Sequence, residues 1–229
     1  MGLGWPKVMA VMVGATLASA KGELAAQVPG VPVLQNAFSN PGLAIAANFG
    51  TSSGQSYYGA AAAFGLGTEG TLSVSAAAGA QHGNGATRGA YGARIASRVW
   101  SSKGGALGVG GFAGYGGAQR TRTGTIVTNP AVMMIPVGLS VGYRRALGTT
   151  RGLSAYLSPF YRWVRTDSGA VASSGSMRIS GGLDFSFSSS LGVTVGGDLG
   201  GAGSSSGGGG NKSSGALGAA ISFVPGGRR

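Results

Sequence analysis

The stretch "GGLDFSFSSSLGVTVGGDLG", residues 181–200, alternates between large apolar residues and small or polar ones. The apolar positions are Leu183, Phe185, Phe187, Leu191, Val193, Val195 and Leu199. A period of two is that of a β-strand whose two faces have different surroundings. Three serines, residues 188–190, divide the stretch into two such strands. The pattern therefore predicts a hairpin with one apolar face and leaves open what covers that face.

The composition shows that apolar surface is plentiful and charge is scarce. The chain has 229 residues, of which 48 are glycine, 43% are hydrophobic and 10% are charged. Ordinary globular domains have about 25% charged residues and about 7% glycine. Disordered chains combine low hydrophobicity with high charge, which is the opposite balance. The chain has no cysteine, so a disulfide framework is excluded.

Ten runs with the same alternation follow one another between Gly42 and Phe223. Their apolar faces span residues 43–49, 58–64, 72–78, 91–99, 107–115, 135–143, 153–163, 177–187, 191–199 and 217–223. A strand of about 9–11 residues crosses a bilayer at a tilt, and most runs are close to that length. Ten strands are predicted, and eight remain an alternative because the Ala-rich second run and the Gly-rich fifth run are the least regular.

The links between the runs alternate between tight and long. The tight links follow the second, fourth, sixth and eighth runs, and the long ones cover residues 50–56, 82–89, 117–131, 166–176 and 201–215. Outer-membrane barrels have short periplasmic turns and longer outer loops. The alternation therefore predicts an up-and-down antiparallel barrel with both ends of the strand series on the periplasmic side.

Aromatic residues collect near the ends of the runs. One group falls at the predicted periplasmic ends, namely Phe64, Tyr143, Phe185, Phe187 and Phe223. A second group falls at the predicted outer ends, namely Phe49, Tyr58, Tyr91, Tyr115, Tyr161 and Trp163. Aromatic rings favour the two membrane interfaces because they combine an apolar body with a polar or polarizable edge. The two groups predict an aromatic girdle at each interface, with lipid covering the apolar stripe between them.

The N-terminus, "MGLGWPKVMAVMVGATLASA", has the features of a secretory signal peptide. Lys7 precedes the apolar residues 8–17, and small residues 18–20 form a cleavage pattern. The apolar run is shorter than the ~20 residues of a membrane-spanning helix. The predicted organisation is a signal peptide at 1–20, a periplasmic lead-in at 21–41, a barrel at 42–224 and a tail at 225–229.

With the signal peptide and the pattern over residues 42–223, the chain resembles the small bacterial outer-membrane β-barrel proteins, in the porin-like and OmpA-like grouping. The last strand, "ALGAAISF", alternates up to the aromatic Phe223, like the signal that the barrel-assembly machinery reads. The resemblance implies a transmembrane all-β barrel in the outer membrane, in contact with membrane lipid and lipopolysaccharide. The chain departs from the family's usual end by the extra residues "VPGGRR".

The predicted inner face is mostly Gly, Ala and Ser, with a minority of larger side chains. The larger ones are Tyr57, Arg94, Arg98, Trp100, Phe112, Arg144, Tyr156, Phe160, Arg162, Arg178, Asp184 and Asp198. The tight turn at 188–190 predicts that Asp198 lies diagonal to Arg178 across the hairpin. These charges either close the lumen as a paired plug or line a narrow passage biased toward anions. The small bore of ten strands favours the plug.

Catalytic and metal-binding patterns are weak in this sequence. The single histidine, His82, has no sequence spacing that links it to a carboxylate. The acidic residues are Glu23, Glu69, Asp167, Asp184 and Asp198. We therefore expect no enzymatic activity, no metal and no cofactor. A barrel enzyme acting on lipid or peptides, with Asp167 or Asp198 beside His82, is the first alternative, and a secreted Gly-rich adhesive protein is the second.

The formal net charge of +12 has no basic run or helical stripe, so nucleic acid is not an expected partner. Several cations fall in the predicted outer loops, namely Arg88, Arg120, Arg122, Arg165 and Lys212. Arginine suits bidentate contact with phosphate, so these residues either meet lipopolysaccharide phosphates or keep the loops soluble. The sequence leaves both roles open, and it does not set the oligomeric state.

Overall fold

The computed structural model describes residues 41–52, 55–67, 71–83, 85–123, 126–167, 170–201 and 213–225. The predicted signal peptide, almost all of the predicted lead-in and all but the first residue of the predicted tail lie outside these ranges. Glu23, Glu69 and Lys212 also lie outside the described residues. No helix in the described ranges is long and apolar enough to cross a membrane.

Ten strands form a closed antiparallel barrel in which chain neighbours pair and the first strand closes onto the last. The strands are β1 (Gly42–Ser52), β2 (Gln55–Leu66), β3 (Leu72–Gly83), β4 (Ala86–Ser101), β5 (Leu107–Ala118), β6 (Thr121–Thr123), β7 (Ile126–Asn129), β8 (Ala131–Ala146), β9 (Gly152–Asp167), β10 (Val171–Ser186), β11 (Leu191–Gly201) and β12 (Ser213–Phe223). The short strands β6 and β7 form a separate two-stranded sheet between β5 and β8. The prediction of an all-β, ten-stranded up-and-down barrel is confirmed, and the irregular second and fifth runs are β2 and β5.

The barrel has two distinct ends. The terminal end carries the start of β1, the end of β12 and the β2–β3, β4–β5, β8–β9 and β10–β11 turns. The loop end carries the remaining links. The prediction of long links at 50–56, 82–89 and 166–176 is wrong, because these three links are short. β2 already begins at Gln55, β4 at Ala86 and β10 at Val171. Strand ladders use backbone groups, so Gly, Ser and Thr in these segments continue the pairing. The β5–β8 and β11–β12 connections remain long.

A β-bulge in β4 changes the face on which the following side chains lie. The register with β5 shifts between Arg98 and Trp100. Both Val99 and Trp100 are exposed on the outer surface, at 73% and 53%. The expectation that Trp100 points into the lumen is wrong, because the extra residue of a bulge interrupts the alternation of faces.

The apolar and polar faces of the barrel are inverted relative to a soluble protein. No second layer of the described chain covers the outer face, where Leu139 and Met177 are 59% and 64% exposed. The buried side chains lie inside the barrel and include Arg178, Asp198 and Ser158. The core therefore sits in the lumen and is partly ionic.

Candidate membrane surface and barrel interior

The outward residues of β8 form a file that changes character along the strand. Ile135, Val137, Leu139 and Val141 are exposed apolar residues in consecutive outward positions. Tyr143 follows them and is also exposed, and Arg145 stands one outward position further toward the terminal end. The order along the strand is therefore aliphatic, aromatic and cationic.

The neighbouring strand β9 carries the same order in the opposite direction. Leu157 and Tyr161 are exposed outward residues, and Trp163 beside them is half-buried. Arg165 follows as an exposed cation near the loop end. Because β8 and β9 are antiparallel, an aromatic residue followed by an arginine lies at each end of this part of the barrel. Such an order follows the layers of a bilayer from hydrocarbon to head groups.

The predicted girdle residues all lie on the outer face. Nine are exposed, namely Phe49, Tyr58, Phe64, Tyr91, Tyr115, Tyr143, Tyr161, Phe187 and Phe223. Trp163 and Phe185 are half-buried. The rings contact one another across strands, as in Tyr91 and Tyr115 with centroids 6.2 Å apart. Phe187 lies one residue beyond β10 and packs edge-on against Phe185 at 4.6 Å.

Two buried aromatic rings meet on the inner face, over the middle of β8. The Phe112 ring from β5 lies 6.1 Å from the Phe160 ring of β9, and the Arg94 guanidinium lies 5.7 Å from the Phe112 centroid. Gly138 on β8 is the register partner of both phenylalanines. A Cβ at Gly138 would collide with Cβ of Phe160 and approach the Pro159 carbonyl oxygen to 2.6 Å. Glycine here leaves the space in which the two rings meet.

A buried ion pair lies beside these rings, on β10 and β11, where Arg178 is the register partner of Phe160. Arg178 Nε donates to Asp198 Oδ2 at 2.8 Å, and Arg178 Nη2 donates to Asp198 Oδ1 at 3.0 Å. The pair is diagonal across β10 and β11, which is the arrangement predicted from the tight hairpin. Arg162 is buried close enough to interact electrostatically with both partners. Bidentate geometry of this kind compensates part of the cost of removing both charges from water.

The other predicted lumen residues divide between the interior and the rim. Arg98 is buried, as is Tyr57, whose ring occupies the space over Gly50. Asp184 is half-buried and accepts hydrogen bonds from Ser154 and Thr194 at 3.2 and 2.6 Å. Arg144 differs from the expectation, because it is exposed at the terminal rim and its Nε donates to the Gly105 carbonyl at 2.7 Å. Its side chain is at the strand end, where the interior opens to solvent.

A buried polar network lies inside the barrel near the loop end, and the sequence reasoning missed it. Gln81 Nε2 donates to Gln55 Oε1, and Arg88 Nε donates to Gln81 Oε1 at 2.9 Å. Arg88 Nη1 donates to the Pro130 carbonyl at 2.7 Å, which ties β4 to the residue before β8. Arg88 was assigned to an outer loop, but β4 begins at Ala86 and the side chain faces inward. Arg88 and Arg94 are separated by an even number of positions, which places both side chains on the same face of a strand. This spacing was the signal that the sequence offered.

The inner face of β1–β3 is different in its half nearer the terminal end, because small side chains line it and solvent reaches them. These inward residues are half-buried and comprise Ala44, Ala46, Ala61, Ala63, Ser75 and Ala77. They lie opposite each other in register, as Ala46, Ala61 and Ala77 do. In the half of the barrel nearer the terminal end, the interior is therefore filled by side chains from the other strands, whereas Tyr57 and Gln81 occupy it nearer the loop end.

The exposed polar residues near the loop end form local contacts. His82 Nδ1 lies 2.9 Å from the Thr87 hydroxyl. Arg120 Nη2 is paired with Asp167 Oδ1 at 2.6 Å, and Arg165 and Arg122 are exposed. No group of three or more His, Cys, Asp or Glu side chains gathers among the described residues.

Comparison with known proteins adds no family assignment. No protein-family model matches the chain, and no curated protein matches it either. The arguments about function therefore rest on the sequence pattern and on the geometry above.

Proposed function

We propose that the chain is an integral, non-enzymatic β-barrel of the bacterial outer membrane, where it serves as a structural or surface-interaction protein with a closed interior. The terminal end faces the periplasm and the loop end faces outward. Insertion is carried out by the barrel-assembly machinery, which reads the last strand. Support for that step comes from β12, whose Phe223 lies outward between Leu191 and Ile45.

The observation that carries this proposal is the inverted distribution of side chains. Thirty large hydrophobic residues are exposed on the described surface, while Arg178 and Asp198 are buried. Burying apolar area contributes roughly 25 cal/mol per Å², so leaving this belt in water is unfavourable. In hydrocarbon, the backbone must satisfy its own hydrogen bonds, and a closed barrel does so. Lipid is therefore the solvent that suits the apolar outer face, while the barrel encloses the polar side chains of the inner face.

The closed interior is supported by the buried side chains that occupy it. Phe112 and Phe160 meet over Gly138, Tyr57 fills the space over Gly50, and the network from Gln55 to Arg88 joins β2, β3 and β4 near the loop end. The second candidate is a narrow passage biased toward anions. It is favoured by the interior cations, which outnumber the interior carboxylates and comprise Arg88, Arg94, Arg98, Arg162 and Arg178.

Planar-bilayer recording separates the closed barrel from the pore. We expect wild-type protein to give no steady conductance, because buried aromatic and ionic side chains occupy the lumen. Phe112→Ala with Phe160→Ala removes both rings from the middle of the lumen and should produce discrete conductance steps. Phe49→Ala changes an outward ring of the girdle and serves as the matched control without conductance.

Insertion is verified in the same samples by unheated SDS electrophoresis, since a closed barrel migrates differently before and after boiling. Steady wild-type conductance with anion preference would replace the closed-barrel proposal with the pore. Recovery of the wild-type chain from culture supernatant without detergent would favour the secreted adhesive protein.

The enzyme alternative requires His82 to act with a carboxylate or a serine hydroxyl. Its ring nitrogen contacts Thr87 instead, while Asp167 pairs with Arg120 and Asp198 pairs with Arg178. We propose that no catalytic site exists here. A lipid- or peptide-hydrolysing activity that disappears in His82→Ala but persists in Thr87→Ala would contradict this.

A further inference from the structure

The cations at the terminal end are concentrated on two neighbouring turns. Lys103 lies in the β4–β5 turn, Arg144 and Arg145 lie at the end of β8, and Arg151 lies at the end of the β8–β9 turn. All four are exposed. Two hydrogen bonds connect the turns, from Arg144 N to the Ala106 carbonyl and from Arg144 Nε to the Gly105 carbonyl, both at 2.7 Å. The charges therefore share one side of the rim.

Carboxylates do not compensate three of these charges within the described ranges. Ion pairs in the described ranges include Arg120 with Asp167 and Arg178 with Asp198, and no ion pair there includes Lys103, Arg145 or Arg151. A cluster of like charges on one rim produces a local positive potential. That potential favours an anionic ligand.

The surface beside these cations is apolar and aromatic. Leu107 and Tyr143 are register partners on the outer face, and both are exposed. Trp100 is exposed near the end of β4, the strand that leads into the Lys103 turn. Long cationic side chains at the edge of an apolar belt extend toward the head groups of a bilayer. The ligand that fits this border has an apolar part and an anionic part.

The spacing of the barrel places Arg145 at head-group level. Arg165, the cation at the other end, is in register with Met133 of β8. From Met133 to Arg145 the strand covers roughly 40 Å at about 3.3 Å per residue. A strand tilt of ~35–45° reduces this to about 30 Å along the membrane normal. A hydrocarbon layer is ~25–30 Å thick, so the two arginines fall just outside it on opposite sides.

We propose that Lys103, Arg145 and Arg151 form a binding site for the phosphate groups of anionic phospholipids in the leaflet at the terminal end. Arg144 is a positioning residue that holds the two turns together. Guanidinium groups bind phosphate oxygens in a bidentate manner, and the lysine adds a point charge. The site depends on the proposed function, since it needs the barrel to lie in a bilayer. A phospholipid fits better than free phosphate because the cations border the apolar belt.

The test uses the full chain in phosphatidylcholine vesicles with and without phosphatidylglycerol. Retained lipid is counted by native mass spectrometry after detergent extraction. For wild type we expect phosphatidylglycerol to be preferred over phosphatidylcholine. The triple variant Lys103→Gln, Arg145→Gln, Arg151→Gln should reduce that preference about tenfold. Arg122→Gln, which removes an exposed cation from the β6–β7 sheet, should leave it unchanged.

The single variant Arg145→Gln covers the case in which the triple variant does not fold, and Arg145→Lys should restore most of the preference. An unchanged preference in the triple variant, or in Arg145→Gln where the triple variant does not fold, would overturn the site. Stabilisation of the detergent-solubilised protein by inorganic phosphate, equal to that by phosphatidylglycerol, would overturn the lipid assignment. Failure of wild type to insert into pure phosphatidylcholine would overturn the proposed function as well, whereas insertion without lipid preference overturns this inference alone.

Discussion

The strands β1–β3 and the strands β8–β11 have similar outer faces and very different inner faces. We name them the small-residue arc and the large-residue arc. Both expose apolar side chains, such as Ile45 in the first and Leu139 in the second. Inside, the small-residue arc presents Ala, Gly and Ser over much of its length, while the large-residue arc presents Phe160, Arg178 and Asp198. The large-residue arc supplies most of the large side chains near the middle of the lumen, and the small-residue arc leaves room for them there.

Three of the four strands in the large-residue arc are also longer than those of the small-residue arc. β8, β9 and β10 have 16 residues each, whereas β1 has 11 and β2 and β3 have 12. The volume of side chains inside a barrel therefore depends on the residues and the length of each strand, and not on the number of strands alone. Uneven distribution of volume explains how a chain so rich in glycine and alanine can still close its lumen.

The largest expected effect comes from breaking the buried ion pair of the large-residue arc. Asp198→Asn leaves the Arg178 guanidinium buried without its counter-charge and beside Arg162. Removing one member of a buried pair costs about 3–5 kcal/mol. We expect a loss of that size in the free energy of unfolding, measured by urea titration in lipid vesicles.

Asp167→Asn is the matched control, because it makes the same substitution in an exposed pair. The side chains of Arg120 and Asp167 are 27% and 47% exposed, so solvent screens their attraction. The expected loss is below about 1 kcal/mol. Equal losses at the two positions would show that the interior of the large-residue arc is hydrated, and the contrast between the arcs would disappear.

The second effect tests which face of the small-residue arc meets lipid. Ala61 and Ala62 are neighbours of identical type, and the first is half-buried on the inner face while the second is exposed outside. Arginine on a lipid-facing midplane position costs about 2–4 kcal/mol. Ala62→Arg should lose that much stability in vesicles, and Ala61→Arg should lose clearly less because the lumen around it admits solvent. A larger loss for Ala61→Arg than for Ala62→Arg would show that the inner and outer faces have been assigned the wrong way round.

Much of this architecture could be predicted from the sequence, and the exceptions have physical causes. The outer faces were predictable because large apolar residues recur at every second position of the sequence. The pairing of Arg178 with Asp198 followed from one tight turn. Trp100 was misplaced because a bulge has no reliable signal in its own residues. Arg88 was misplaced because ladder pairing continues through polar residues. The packing of Phe112 on Phe160 was not predictable, since it depends on the registers of two successive strand pairs.

The smallest effect concerns the glycine that lets those two rings meet. Gly138→Ala places a methyl group against Cβ of Phe160, with the Pro159 carbonyl oxygen at 2.6 Å and Phe160 Cα at 2.8 Å. These atoms belong to the backbone or lie next to it, so they cannot rotate away. Overpacking of this kind costs about 1–3 kcal/mol. The same urea titration in vesicles measures it.

Gly111→Ala provides the comparison, because Gly111 lies on the outer face of β5 in register with Leu139 of β8. The nearest atoms to a Cβ there are at 3.6 and 3.9 Å, which is ordinary contact. An added methyl group at that position meets lipid and should leave stability unchanged or slightly higher. If Gly138→Ala were equally harmless, the rings of Phe112 and Phe160 would have space to move. The large-residue arc would then be loosely filled, and a conducting lumen would become the better description of the barrel.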